Sequence, residues 1–77
     1  MRLNKFLKNE VKSGMVFLMT GGYDYIFMYN KREKIWNCSI YDSKKAEIAH
    51  FFDEVIDPIK EVTYKNDSEV IEVIKSL

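Results

Sequence analysis

The sequence predicts a small, β-rich α+β fold: an antiparallel meander or barrel of three or four strands, flanked by short N- and C-terminal helices. Three observations carry this expectation. Strand-like runs at residues 15–20, 23–29 and 35–41 follow one another with only turn-sized gaps. The first gap is Gly21-Gly22, and paired glycines can take the positive φ angles that a two-residue hairpin turn requires. Apolar residues at helical spacing are clearest near the two ends of the chain. At 77 residues there is material for one core, so residues 1–77 are read as a single domain.

Taken in order, Leu3, Phe6, Leu7 and Val11 share one helical face, and Gly14 is placed to stop a helix over residues 3–12. The run Met15-Val16-Phe17-Leu18-Met19-Thr20 is apolar throughout and too short for a stable helix. Tyr23-Asp24-Tyr25-Ile26-Phe27-Met28-Tyr29 is rich in the aromatic residues that favour strands. The charged segment Asn30-Lys31-Arg32-Glu33 suits a second hairpin loop. In the third run Trp36, Cys38 and Ile40 alternate with polar neighbours, as in a half-buried strand.

The second half is less regular. Asp42 or Ser43 is placed to cap a helix whose apolar face would hold Ile48, Phe51, Phe52 and Val55. Helix or loop remains open for residues 43–56, and Pro58 forces a change of direction. A fourth strand is expected over residues 59–64. Asn66-Asp67-Ser68 reads as a turn and N-cap, before a helix with Val70, Ile71, Ile74 and Leu77 on one face.

Composition narrows the function. The chain is 47% hydrophobic and formally neutral, which argues against disorder and against a strongly basic nucleic-acid domain. Cys38 is the sole cysteine and His50 the sole histidine, which leaves no internal disulfide and no structural zinc set. Cys38, between Trp36 and Ile40 on one face, reads as a core residue and not as a nucleophile. No nucleophile elbow or phosphate-cradling glycine loop is present. His50, Asp53, Glu54 and Asp57 are the one cluster resembling a metal set, and they read better as a solvated acidic face. The expectation is therefore a binding protein, neither an enzyme nor a metalloprotein, with no cofactor. No signal-like or membrane-spanning apolar run is seen, so the cytoplasm is the expected compartment.

Two features suggest what binds. Tyr23, Tyr25, Phe27 and Tyr29 alternate along one strand and share a face, with Lys31 and Arg32 in the adjoining loop. Because tyrosine hydroxyls need partners when buried, this face is expected at a surface that meets a partner, and Ile26 and Met28 are expected to face the core. The first strand is likewise apolar on both sides, so a second face must be covered by helices or by another chain. Residues 1–34 hold seven Lys/Arg against three acids, and residues 35–77 hold five Lys against nine acids. Such polarity suits one-sided contact or homo-oligomerisation.

The order of motifs resembles small SH3-like β-barrel proteins encoded by phages and prophages of Gram-positive bacteria. The likeness lies in Ser13-Gly14-Met15-Val16 opening a strand, a glycine hairpin before Tyr25-Ile26-Phe27, Trp36 in the third strand, and Phe52-Asp53-Glu54-Val55-Ile56-Asp57-Pro58 before a closing strand. It covers roughly residues 12–60 and implies an SH3-like barrel and a phage origin. It transfers no site residues. From these features together, the expected role is a phage-type accessory protein that binds and blocks a host macromolecule, with counter-defence as a subtype. Two alternatives stay open. One is sequestration of a small nucleotide signal, with tyrosines on the base and Lys31 or Arg32 on phosphate. The other is single-stranded nucleic-acid binding.

Overall fold

The computed structural model describes residues 9–77, and the part of the N-terminal helix expected over residues 3–8 lies outside them. Residues 9–13 are helical (α1) and stop at Gly14, whose φ of +83° is the left-handed conformation a helix terminator needs. Strands β1 (Met15–Thr20), β2 (Tyr23–Asn30) and β3 (Ile35–Asp42) follow. Helix α2 (Ser43–Phe51), strand β4 (Lys60–Tyr64) and helix α3 (Asp67–Ser76) complete the chain.

The four strands form one antiparallel sheet in the order β1-β2-β3-β4. The expected meander is present, and the sheet is open, with β1 and β4 at opposite edges, rather than closed into a barrel. Gly21 and Gly22, with φ of +60° and +83°, join Thr20 to its partner Tyr23 in the pattern of a type I′ turn. The β2–β3 loop closes on Asn30: its Oδ1 accepts from Glu33 N–H (3.0 Å) and its carbonyl accepts from Lys34 N–H (2.7 Å). Lys34 takes a positive φ of 57° to re-enter the ladder.

One face of the sheet, termed inner, carries the core. Val16, Phe27, Trp36 and Cys38 are buried there together with Val11 from α1 and Val70 and Ile74 from α3. The amphipathic spacing of Val70 and Ile74 lays α3 across the sheet, and Asn66 caps it by accepting from Glu69 N–H (3.0 Å). The Glu69 carboxylate in turn accepts from Lys65 N–H (3.0 Å), one residue before the cap, which ties the first turn of α3 to the end of β4. Trp36 joins these parts: its ring lies 5.5 Å from Tyr29, it pairs across the ladder with Tyr64, and its indole N–H donates to Asp67 (2.8 Å).

This arrangement reverses the expected faces of β2. Register pairs Phe27 with Cys38, Tyr29 with Trp36 and Tyr25 with Ile40, so the aromatic ladder belongs to the core side. Phe27 is 0% exposed, and Tyr25 and Tyr29 pack against the core. Met28, expected inside, is 53% exposed on the outer face. The tyrosine hydroxyls do not obstruct this, because half-buried rings keep their polar tips near solvent.

Melting curves of alanine variants check the assignment. Phe27→Ala and Trp36→Ala are expected to lose about 3–5 kcal/mol, as large core truncations do. Met28→Ala, at an exposed site, is expected to lose less than about 1 kcal/mol. Equal losses at Phe27 and Met28 would reject the assignment.

Candidate binding surface

The outer face of the sheet is only partly covered. Helix α2 begins where β3 ends, with Asp42 as N-cap accepting from Lys45 N–H (3.0 Å). Ser43 ties it down twice: its N–H donates to Gly22 O (3.0 Å) and its hydroxyl donates to the buried carboxylate of Asp24. These anchors hold α2 over the end of β2 and β3 next to the Gly21-Gly22 turn, away from the β2–β3 loop. Ala49 is the buried residue of this helix, its small side chain allowing close approach. Between α2 and the outer side of β1 and β2 lies an open groove of about 640 Å³, walled by Phe17, Met19, Ile26, Tyr41 and Ala49.

Helical spacing groups Ile48, Phe51, Phe52 and Val55, with helix or loop left open for residues 43–56, and the structure resolves this as a helix over Ser43–Phe51 followed by a loop. The helix stops after Phe51. Glu54 N–H donates to Ala49 O (2.7 Å) and Asp53 N–H to Ala49's neighbour His50 O (3.2 Å), which is the bond pattern of a Schellman motif. Asp53 occupies the left-handed position, φ +53°, where glycine is usual. The apolar side chains then face solvent: Phe51 is 80% exposed, Phe52 63%, Ile48 56% and Val55 98%. The two phenylalanine rings meet edge-on at 5.1 Å. Lys44 and Glu47 line the same depression as Ile48, Phe51 and Phe52, and Lys45, Asp53, Glu54 and Asp57 are exposed nearby in the chain.

A second apolar strip runs along β1 and β2 on the same side of the sheet, formed by Met15, Phe17, Met19 and Met28, each at least half exposed. Neighbouring β3 and β4 carry Asn37, Ser39, Glu61 and Thr63 at the corresponding outer positions. The outer face is thus divided, apolar at the β1 side and polar at the β4 side.

The residues singled out from sequence are spread around this plan. Tyr23 is 40% exposed, Tyr25 and Tyr29 are half-buried, and Phe27 is sealed inside. Lys31 and Arg32 are exposed in the β2–β3 loop. The face occupied by Tyr23, Tyr25, Phe27 and Tyr29 does not form one continuous accessible platform. Helical spacing alone does not mark the apolar residues of α2 and its following loop as a surface. The signal that could have found them is the pairing of Ala46 with Ala49, the small-residue stripe on which this helix actually packs.

Among the described residues, no three His, Cys, Asp or Glu side chains converge as a metal set. His50 and Glu54 both border the groove, on the solvent side. Burial pushes the Cys38 thiol up from its ordinary 9.0 to about 11, which keeps it protonated and unreactive at neutral pH. Burial, with Cys38 and Glu69 nearby, also raises the phenol of Tyr64. Among the described residues, no helix is long and apolar enough to cross a membrane. Comparison with protein-family models, with curated proteins and with solved structures returns no match.

The thiol gives a direct check. An unfolded chain releases the Cys38 proton near pH 9.0 and the folded chain only near 11, so the folded state holds more protons in between. Stability from this group is complete below pH 9 and falls as pH rises toward 11. Alkylation of the folded protein at pH 8 is expected to run at least about tenfold slower than in denaturant. Equal rates would show that Cys38 is accessible.

Proposed function

We propose that this chain is a non-enzymatic binding protein that docks a partner protein on the apolar surface formed by the free side of α2 and the loop after it. The supporting observation is the exposure of Ile48, Phe51, Phe52 and Val55 within eight residues of chain. Exposed apolar side chains scattered singly are ordinary, but a cluster of this kind in a small domain marks a contact surface. Two phenylalanines at the centre and a charged rim match the anatomy of protein interfaces, where aromatic anchors contribute most of the affinity.

The exposed charges of α2 and the loop after it are mostly acidic, with Glu47, Asp53, Glu54 and Asp57 against Lys44 and Lys45. A partner presenting an apolar pocket bordered by Lys or Arg would fit this surface, and such charges would speed association more than they deepen it. Following the resemblance to phage-encoded proteins, we assign the chain an accessory role in the host cytoplasm. There it would occupy and block a host protein, counter-defence being one form of that activity. The nucleotide and single-stranded nucleic-acid readings draw less support. Base stacking needs bare rings, and Phe27 is sealed while Tyr25 and Tyr29 lean on the core.

Retention of host-lysate protein on immobilised wild-type chain, compared with two variant pairs, tests the reading. Phe51→Ser and Phe52→Ser are expected to weaken capture by about 1–3 kcal/mol each while leaving the melting temperature nearly unchanged. Lys31→Glu with Arg32→Glu is expected to leave capture intact. The opposite pattern, with loss only in the Lys31/Arg32 variant, would move the site to the β2–β3 loop.

A further inference from the structure

We infer that β1 is a self-pairing edge: two copies of the chain join β1 to β1 antiparallel across a twofold axis at Phe17, making one continuous sheet. This is independent of the surface proposed on α2, which lies outside the paired strands.

The phase of the ladder fixes which backbone groups are free. Tyr29 N–H donates to Gly14 O (2.9 Å), so Gly14 and Tyr29 face each other through hydrogen bonds. Such pairs recur at every second residue of an antiparallel ladder, so Val16, Leu18 and Thr20 also turn their backbone groups toward β2. Met15, Phe17 and Met19 therefore turn theirs to the open edge, where no described strand pairs with them. The same three residues point outward from the sheet, exposed by 50%, 51% and 64%.

Exposed edges are normally blunted by lysine, proline or a bulge. Edge β4 follows that rule, with Lys60 and Glu61 in the strand and Pro58 just before it. Edge β1 does not: residues 14–23 contain no charge and no proline, and its register with β2 runs unbroken from Met15 to Thr20. An uncharged strand sets no like charges against each other on a twofold axis.

The occupant is identified by the strand's own order. Met15-Val16-Phe17-Leu18-Met19 reads nearly the same in both directions about Phe17. Antiparallel pairing at that residue sets Met15 against Met19 of the second copy, Phe17 against Phe17, and Val16 against Leu18. Each of Met15, Phe17 and Met19 then exchanges both backbone hydrogen bonds with its opposite number; the Met15 carbonyl, which accepts from the Ser13 hydroxyl (3.2 Å), keeps a second lone pair for this bond. Such an interface is isologous, as closed dimers require. The contact is confined to one six-residue strand from each copy, so assembly should depend on concentration.

Sedimentation and light scattering on the full chain test this. The wild-type mass is expected to rise from 9.2 kDa toward twice that between about 10 μM and 1 mM. Phe17→Lys and Phe17→Glu should each remain monomeric, since each sets like charges face to face on the axis. An equimolar mixture of the two should recover the dimer, because residue 17 meets residue 17. Should either charged variant fail to fold, Phe17→Cys supplies the second test. Hydrogen-bonded antiparallel pairs hold their Cα atoms about 5.5 Å apart, within disulfide range, so this variant should cross-link to a covalent dimer in air. A monomeric wild type at 1 mM, a mixture that stays monomeric, or a Phe17→Cys chain that does not cross-link would each overturn the proposal.

Discussion

The indole of Trp36 is the contact on which the other parts of the structure converge. It sits at the middle of the sheet, faces Tyr29 on one neighbour and Tyr64 on the other, and donates its N–H to Asp67 at the start of α3. A buried indole N–H without a partner would cost on the order of 1–3 kcal/mol, so the bond to Asp67 removes a penalty as well as fixing where α3 begins. From that point the helix lays Val70 and Ile74 over Phe27 and Cys38. One face of the sheet is thereby closed using the chain's own helices. Among the described residues nothing comparable covers the whole of the other face: α2 is held at one end by Ser43 and leaves the β1 side open.

That asymmetry connects packing to function. A domain of 77 residues has a thin stability margin, and large apolar side chains left in water add nothing to it. Most of them fall into two groups, the β1 strip and the α2 turn, with Tyr23, Ile59 and Leu77 standing apart, and Asn37, Ser39, Glu61 and Thr63 are polar outer positions of β3 and β4. Asp53 strengthens the point. A non-glycine residue in the left-handed position costs about 1 kcal/mol, and it is tolerated where it ends α2 so that Phe51 and Phe52 stand clear of the fold. The two groups suit different contacts. The strip offers free backbone groups in register, whereas the helix turn offers ring surface without an edge.

Much of the fold was legible in the sequence because local chemistry dictates it. Gly14 and the Gly21-Gly22 pair need positive φ, Asp42 and Asn66 cap helices with their side-chain oxygens, and Trp36, Cys38 and Ile40 alternate with polar residues. The faces of β2 were not legible from β2 alone, since Tyr25, Phe27 and Tyr29 compete with Ile26 and Met28 on nearly equal terms. Parity resolves them: once the loop sets Asn30 against Ile35, Phe27 must lie with Cys38 and Tyr29 with Trp36, and the clear polarity of β3 is inherited by β2. The exposed surface of α2 was hidden for a related reason. Helical spacing groups Ile48 with Phe51, Phe52 and Val55, but the anchors at Ser43 and the stop at Asp53 are tertiary and local-backbone facts that periodicity does not carry.

The central claim is that this sheet has one face closed on Phe27 and Trp36 and another left open for association. Hydroxyl-radical footprinting of the dilute protein, with oxidation rates resolved by residue, measures it most directly. The account predicts rapid modification of Phe17, Met28, Phe51 and Phe52, and strong protection of Phe27 and Trp36 relative to the unfolded chain. Protection of Phe17 and Met28 together with rapid modification of Phe27 would contradict it, because the core would then lie on the opposite face.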